Sequence, residues 1–186
     1  MNLKDFKHAT ESQVTLSELM LPSHANFSGK IHGGYVLSLM DQIAFACASK
    51  HSGHYCVTAS VNTVDFINPI EIGELVTLKA SVNWVGNSSM VVGIRVESEN
   101  IQSGEKKHCN SSYFTMVAKD KNGNTTKIPG LILRSDDDIR RFTKSIRRKE
   151  MQATRRKEFS ETNFTTKKYI EQLSNYRVKL EHNQFS

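Results

Sequence analysis

The chain has 186 residues, 38% of them hydrophobic and 24% charged, with a net charge of +6 and three cysteines. That suits one domain with its own core plus an extension. No run reaches the roughly 20 apolar residues of a membrane-spanning helix. The polar start, with Lys4, Asp5, Lys7 and His8, lacks the apolar stretch of a signal peptide. Cys47, Cys56 and Cys109 show no CxxC spacing, which points to a reduced, cytoplasmic protein whose thiols are core residues. The charge excludes less than it first suggests. From Arg134 onward there are 14 basic and 8 acidic residues, so the whole excess lies in the C-terminal segment and the rest is neutral. The charges there are mixed rather than blocked, which favours solvated helices over a nucleic-acid surface.

In chain order, Val14 to Leu21 alternates as a strand and Pro22 to Lys30 is a polar loop. Gly33 to Lys50 places apolar residues at 36, 37, 39, 40, 43, 44 and 47, the spacing of a helix apolar over nearly all faces. Such a helix is expected to be buried, with Gly53 as its stop. Four β-rich runs follow. Tyr55 to Ile67 comes first, then Glu74 to Val85, with Val76, Leu78, Ala80, Val82 and Trp84 on one face. Gly86-Asn87 is a turn signal between this run and Ser89 to Ser98. Asn100 to Glu105 is a second turn, before Lys107 to Lys119. One apolar helix followed by long antiparallel strands predicts an α+β fold in which a curved sheet wraps the helix. Pro129-Gly130 marks a boundary. Beyond it, Ser135 with Asp136, Asp137 and Asp138 reads as the N-terminus of a helix carrying Ile139, Phe142 and Ile146. A second helical stretch is predicted from Thr166 to about Leu180.

Asp41 is the most informative residue, because it interrupts the apolar helix between Met40 and Ile43. A carboxylate buried without partners is costly, and a buried one is a candidate base or nucleophile. The bland alternative is a narrow solvent stripe shared with Ser38 and Gln42. His32-Gly33-Gly34 precedes the same helix, where free backbone N–H groups at a positive helix end suit a carbonyl oxygen gaining charge. Asp41 lies seven residues beyond Gly34, about 10 Å along the axis. That is too far for one small carbonyl, so a second subunit would have to supply one of the two groups. Asn26 lies in the preceding loop, where it either polarises a carbonyl or simply forms a turn. His24 and His32 are acid/base candidates, but no second pair at ligand spacing supports a metal. There is no GxSxG, P-loop or GxGxxG.

The run LPSHANFSGKIHGGYVLSLMDQIAFACASKHSG, then CVTASVNTVDFINPIEIGELVTLKASVNWVGNSSMVVGIRVESEN and CNSSYFTMVAKD, resembles the hot-dog fold acyl-CoA thioesterases. The likeness is to the branch holding the bacterial short- and medium-chain hydrolases and the cytosolic brain-type enzyme. It covers about residues 12–131, leaving 132–186 as a charged helical extension. Three motifs carry it: the N-x-x-G-x-x-HGG-x-x-x-x-x-MD spacing, the VDF-x-x-PI-x-x-G-E segment and the VG-x-(S/T)-SM turn.

The resemblance implies one long helix wrapped by a curved antiparallel sheet, side-by-side dimers, and often a hexamer as a trimer of dimers. It implies hydrolysis of acyl-CoA to free fatty acid and coenzyme A with no cofactor. Asp41 would be general base or nucleophile, Asn26 and the Gly34 N–H would hold the oxyanion, and Ser60 would support Asp41. Coenzyme A would lie over Gly86, Asn87, Ser88, Ser89 and Met90, near His32 and Gly33, with its phosphates close to Arg95 and Lys119. Met40 and Phe45 would limit the acyl chain. Three rival readings are a non-catalytic acyl-CoA sensor whose basic tail contacts DNA, a hot-dog dehydratase using His32, and a purely structural oligomer. The first predicts loss of the carboxylate, yet Asp41 is present. The surroundings of His32 follow the thioesterase pattern, and a structural oligomer has no need of Asp41.

Overall fold

The computed structural model describes residues 5–161 together with 170, 173 and 175–179. The predicted stretch from Thr166 to Leu180 lies almost wholly outside the described residues. The chain divides into two compact units, Met1–Ile146 and Arg147–Ser186.

The first unit is built on a five-stranded antiparallel sheet. Its strands are β2 (Val14–Leu19), β3 (Tyr55–Val61), β4 (Leu75–Val85), β5 (Ser89–Glu99) and β6 (Lys106–Lys119), in the order β2-β4-β5-β6-β3. The long helix α2 (Gly33–Ser52) packs on one face of this sheet. Its buried residues Val36, Leu39, Met40, Ile43, Ala44, Cys47 and Ala48 recur at helical spacing. They meet Val76, Leu78, Val82, Met90, Val92, Phe114 and Met116, every second residue of the facing strands. Gly53 ends the helix with φ +73° and returns its N–H to the Ser49 carbonyl, a conformation that costs little only for glycine. The helix wrapped by an antiparallel sheet is therefore as expected.

One expectation fails. The helix is not covered on every face: Gly34, Ser38, Asp41, Gln42, Phe45 and Ala46 form an exposed stripe. Within one chain the sheet covers only the side of α2 that faces it.

The sequence reading also missed three short elements. The strand β1 (Phe6–His8) pairs in parallel with β7 (Gly130–Ile132), and α1 (Ala9–Ser12) follows β1. The helix α3 (Asp136–Glu161) starts where Ser135 accepts the Asp138 N–H on its hydroxyl, as the acidic first turn predicted.

Candidate active site

Asp41 sits at the middle of α2 on the exposed stripe with Ser38 and Gln42. Of the two settings the sequence left open for it, the solvent stripe is the one found and burial is not. Its Oδ1 accepts a 2.6 Å hydrogen bond from the Thr58 hydroxyl. The supporting hydroxyl is thus Thr58 and not Ser60. The reason is a bulge in β3. Thr58 pairs with Met116 but Ser60 pairs with Thr115, so one extra residue, Ala59, is inserted between them. Directly paired residues share a face. Thr58 therefore keeps the face of Met116, which α2 covers, while Ser60 is turned to the other.

Asn26 lies in the loop ahead of α2, after a 3-10 turn at Pro22–His24. Its side-chain oxygen accepts from Ser28 N–H (2.9 Å), Ser28 hydroxyl (2.7 Å) and Lys30 N–H (3.2 Å). With Oδ1 committed to its own loop, the Nδ2 group is the end left to meet a substrate oxygen. The loop is tied at its far side by the Ile31 N–H to the Ile70 carbonyl and by an ion pair between Lys30 and Glu71.

His32 caps α2: its Nδ1 accepts the Gly34 N–H at 3.1 Å. The amide expected to be a free oxyanion donor is thus occupied here, and a substrate oxygen would have to displace the imidazole. Gly33 lies under the Phe66 ring, 3.2 Å from where a Cβ would stand. The loop bearing Asn26 precedes the N-terminal end of α2. Asp41 is about two turns further along, as its distance from Gly34 requires. The two groups of one chain do not meet.

The Gly86–Met90 segment is the β4–β5 turn, closed by Gly86 N–H to the Ser89 carbonyl at 2.7 Å. Its Ser88 and Asn87 carbonyls accept the Ala118 and Ile128 N–H groups, which brings Lys119 beside it. Met90 pairs with Met116, which pairs with Thr58, so this turn lies about 10 Å, or two strand spacings, from the Asp41 partner. Met90 itself is fully buried and supports the turn from the core.

Arg95 is not brought to this place. It lies five residues further along β5, about 17 Å away, on the face of the sheet opposite α2. There it lines a cavity of about 470 Å³ with Lys79, Ser81, Asn83, Arg140 and Arg141. Lys79 and Arg95 hydrogen-bond to Glu97 at 2.7 and 2.8 Å, and these contacts hold the Glu97 carboxyl down to about 2. Met40 is likewise core, with no exposed surface, whereas Phe45 is partly exposed and packs edge-on against Tyr55.

All three cysteines are buried and unpaired, and burial pushes the Cys47 thiol up to about 12, which removes it as a nucleophile. Among the described residues no group of three His, Cys, Asp or Glu side chains could hold a metal ion. No helix among them is long and apolar enough to cross a membrane.

Residues 28–105 match the model of the Thioesterase superfamily. The chain is 43% identical over 143 residues to Protein VdlD of Helicobacter pylori, covering 77% of this chain and 82% of that one. A solved apo-hexameric acyl-CoA thioesterase superposes with a TM-score of 0.79 at 33% identity, over 81% of this chain and 96% of its own. An acyl-CoA hydrolase from Staphylococcus aureus, solved with butyryl coenzyme A, coenzyme A and coenzyme A disulfide, does so at 0.76 and 30%, over 91% and 99%. Single alanine variants of that enzyme at an aspartate, a threonine and an asparagine have also been solved.

Proposed function

The chain belongs to the thioesterase superfamily and is an acyl-CoA thioester hydrolase, and we propose that Asp41 and Asn26, contributed by two copies of the chain, form its reaction centre. The observation that carries this is the Thr58–Asp41 hydrogen bond on an open stripe of an otherwise buried helix. The variants of the S. aureus enzyme agree with it. Their asparagine, aspartate and threonine follow one another at intervals of 15 and 17 positions, as do Asn26, Asp41 and Thr58.

Thr58 fixes one carboxylate oxygen, which leaves the other to take a proton from water. The hydroxide adds to the thioester carbonyl carbon, and the carbonyl oxygen becomes an oxyanion. The Asn26 Nδ2 group donates to that oxygen, and the Gly34 N–H joins it once the His32 imidazole is displaced. Collapse expels coenzyme A as thiolate, which takes up the proton held by Asp41, and leaves the fatty acid. Direct attack by Asp41 would give a mixed anhydride that water then cleaves. Oxygen from labelled water found in Asp41 after turnover identifies the anhydride route, with cleavage at the Asp41 carbonyl, since the general-base route puts none there.

The separation of Asn26 from Asp41 along α2 makes a second copy part of the site. Among the described residues the strand β3 is an unpaired sheet edge beside the Asp41 stripe, with exposed Tyr55 packed on Phe45 and Val61 exposed at its other end. We place the partner there, edge to edge, which buries the stripe and extends the sheet. Three such dimers would form the hexamer. Coenzyme A would cross the Gly86–Ser89 turn with Lys119 near its phosphates. The three free thiols support a cytoplasmic setting for the enzyme.

The test is thiol release from a panel of acyl-CoAs by the wild type, Asp41→Ala and Asn26→Ala, each checked for unchanged oligomeric state. The wild type turns over, Asp41→Ala loses about 10²–10⁴-fold in kcat and Asn26→Ala about 10²–10³-fold. A wild type that binds acyl-CoA without releasing thiol would overturn the proposal in favour of the sensor.

A further inference from the structure

We propose that Tyr35, anchored by Glu18 and stacked on His24, is a positioning residue that sets the Asn26 loop against the start of α2. This rests on the reading that Asn26 donates to the oxyanion.

Glu18 is out of place by its surroundings. The inner face of β2 carries Val14 and Leu16, which pack on the core, and Glu18 is next on that face, paired with fully buried Val76. A carboxylate on a core-directed face needs a strong donor. It finds the Tyr35 hydroxyl, which donates to Glu18 Oε1. Tyr35 stands on the first turn of α2, one residue past Gly34, and packs against the core. The hydrogen bond to Glu18, together with burial and the carboxylate charge, raises the Tyr35 hydroxyl above its usual range, so it remains a donor.

The same ring is a platform. The His24 imidazole stacks on it with centroids 4.0 Å apart and planes 19° from parallel. His24 closes the 3-10 turn two residues before Asn26, and its Nδ1 accepts the Leu21 N–H at 3.3 Å. Its carbonyl accepts the His32 N–H at 2.9 Å. The near end of the Asn26 loop is thereby fixed through Tyr35 to the edge of the sheet. At the far end stands the Lys30–Glu71 pair, whose side chains are 44% and 40% exposed. An exposed pair of that kind holds a loop weakly, so the far end rests on the Ile31 N–H to the Ile70 carbonyl, and the Tyr35 stack is the side-chain hold at the near end. A misplacement of about 1 Å at a reacting group costs on the order of a hundredfold in rate, so a looser hold is felt in turnover. The Tyr35 hydroxyl is committed to Glu18, so the role assigned to it is positioning.

The experiment is a double-mutant cycle on the full chain with butyryl-CoA, reading kcat, KM, melting temperature and oligomeric state. Tyr35→Phe keeps the stack and removes the anchor. We expect kcat to fall about tenfold, with KM within about twofold and the same oligomer. Glu18→Gln, with Tyr35 intact, keeps an acceptor for the hydroxyl and retains most of the rate. In the Asn26→Ala background, Tyr35→Phe has no further effect, because the group it positions is gone. Full kcat in Tyr35→Phe overturns the proposal, as does an equal loss in both backgrounds, which would mark a merely structural residue. Should Tyr35→Phe fail to fold, His24→Ala removes the stack alone and enters the same cycle. An Asn26→Ala enzyme with wild-type kcat identifies failure of the underlying reading instead, since it needs no Tyr35 variant to be seen.

Discussion

Thr58 and Ser60 differ in sequence position by two, and on a regular strand they would point the same way. The bulge at Ala59 separates them, and only one hydroxyl reaches Asp41. Removal of the Thr58 hydroxyl leaves Asp41 free to rotate on an exposed stripe and takes away a charge-assisted bond of about 1.5–3 kcal/mol. Thr58→Ala is therefore expected to lower kcat by roughly tenfold or more. Thr58→Ser should retain most of the rate and Ser60→Ala nearly all of it. A steady-state comparison of the three variants on one acyl-CoA checks this, and equal losses at 58 and 60 would mean that the bulge does not sort the two hydroxyls. Asp41 and Asn26 stand out in the sequence as candidates because each sits in a recognisable motif at fixed spacing. The sequence hid Thr58 because a bulge is a backbone event with no residue signature. It left Asp41 between a buried setting and a solvent stripe with Ser38 and Gln42, because hydropathy alone does not show which side of the helix the sheet covers.

At the scale of elements, the long strands and α2 were readable because each repeats its pattern over many residues. The strands β1 and β7 were not, because three residues carry no period and what holds them is distant in sequence. Phe6 lies across Gly130, where an added Cβ would stand 2.3 Å from the ring. Lys7 donates to the His51 carbonyl at 2.8 Å at the end of α2, and the His51 Nε2 lies 3.0 Å from the Pro129 carbonyl, just ahead of β7. His51 is wholly buried and its Nδ1 has no partner. Burial holds this imidazole below its ordinary value of 6.5, opposed in part by the Pro129 carbonyl; the Lys7 charge lowers it further and the Glu11 charge raises it. The unfolded chain therefore binds a proton at His51 before the folded chain does. Stability contributed by the neutral ring is present above about pH 6.5 and is lost as pH falls below it. Urea unfolding between pH 7.5 and 5 should show that decline, and His51→Gln should flatten it. An unchanged slope in the variant would assign the acid sensitivity to other groups.

At the scale of the whole molecule, the two ends of the sequence motif and the two compact units do not coincide. The sequence reading sets the end of the hot-dog domain near residue 131, yet the first unit runs to Ile146. The intervening residues cover polar groups on the outer face of the sheet. Arg141 donates to the Ser81 hydroxyl at 3.3 Å, Ser81 donates to Asn83 Oδ1 at 2.9 Å, and Ser145 is fully buried against the Arg141 carbonyl. Ser81 and Asn83 are themselves only 8% and 7% exposed. Asn83 lies over Gly93, where any side chain would collide with it. Cutting the chain after Leu131 uncovers this network, and each buried polar group that loses its partner costs about 1–3 kcal/mol. Cutting after Ile146 leaves it whole and removes most of the basic excess. The truncation at Ile146 is thus expected to keep wild-type kcat and melting temperature, and the truncation at Leu131 to melt several degrees lower or fail to assemble. Thermal melts and size-exclusion profiles of the two chains decide it. Loss of turnover in the Ile146 truncation would show instead that residues 147–186 belong to the catalytic assembly.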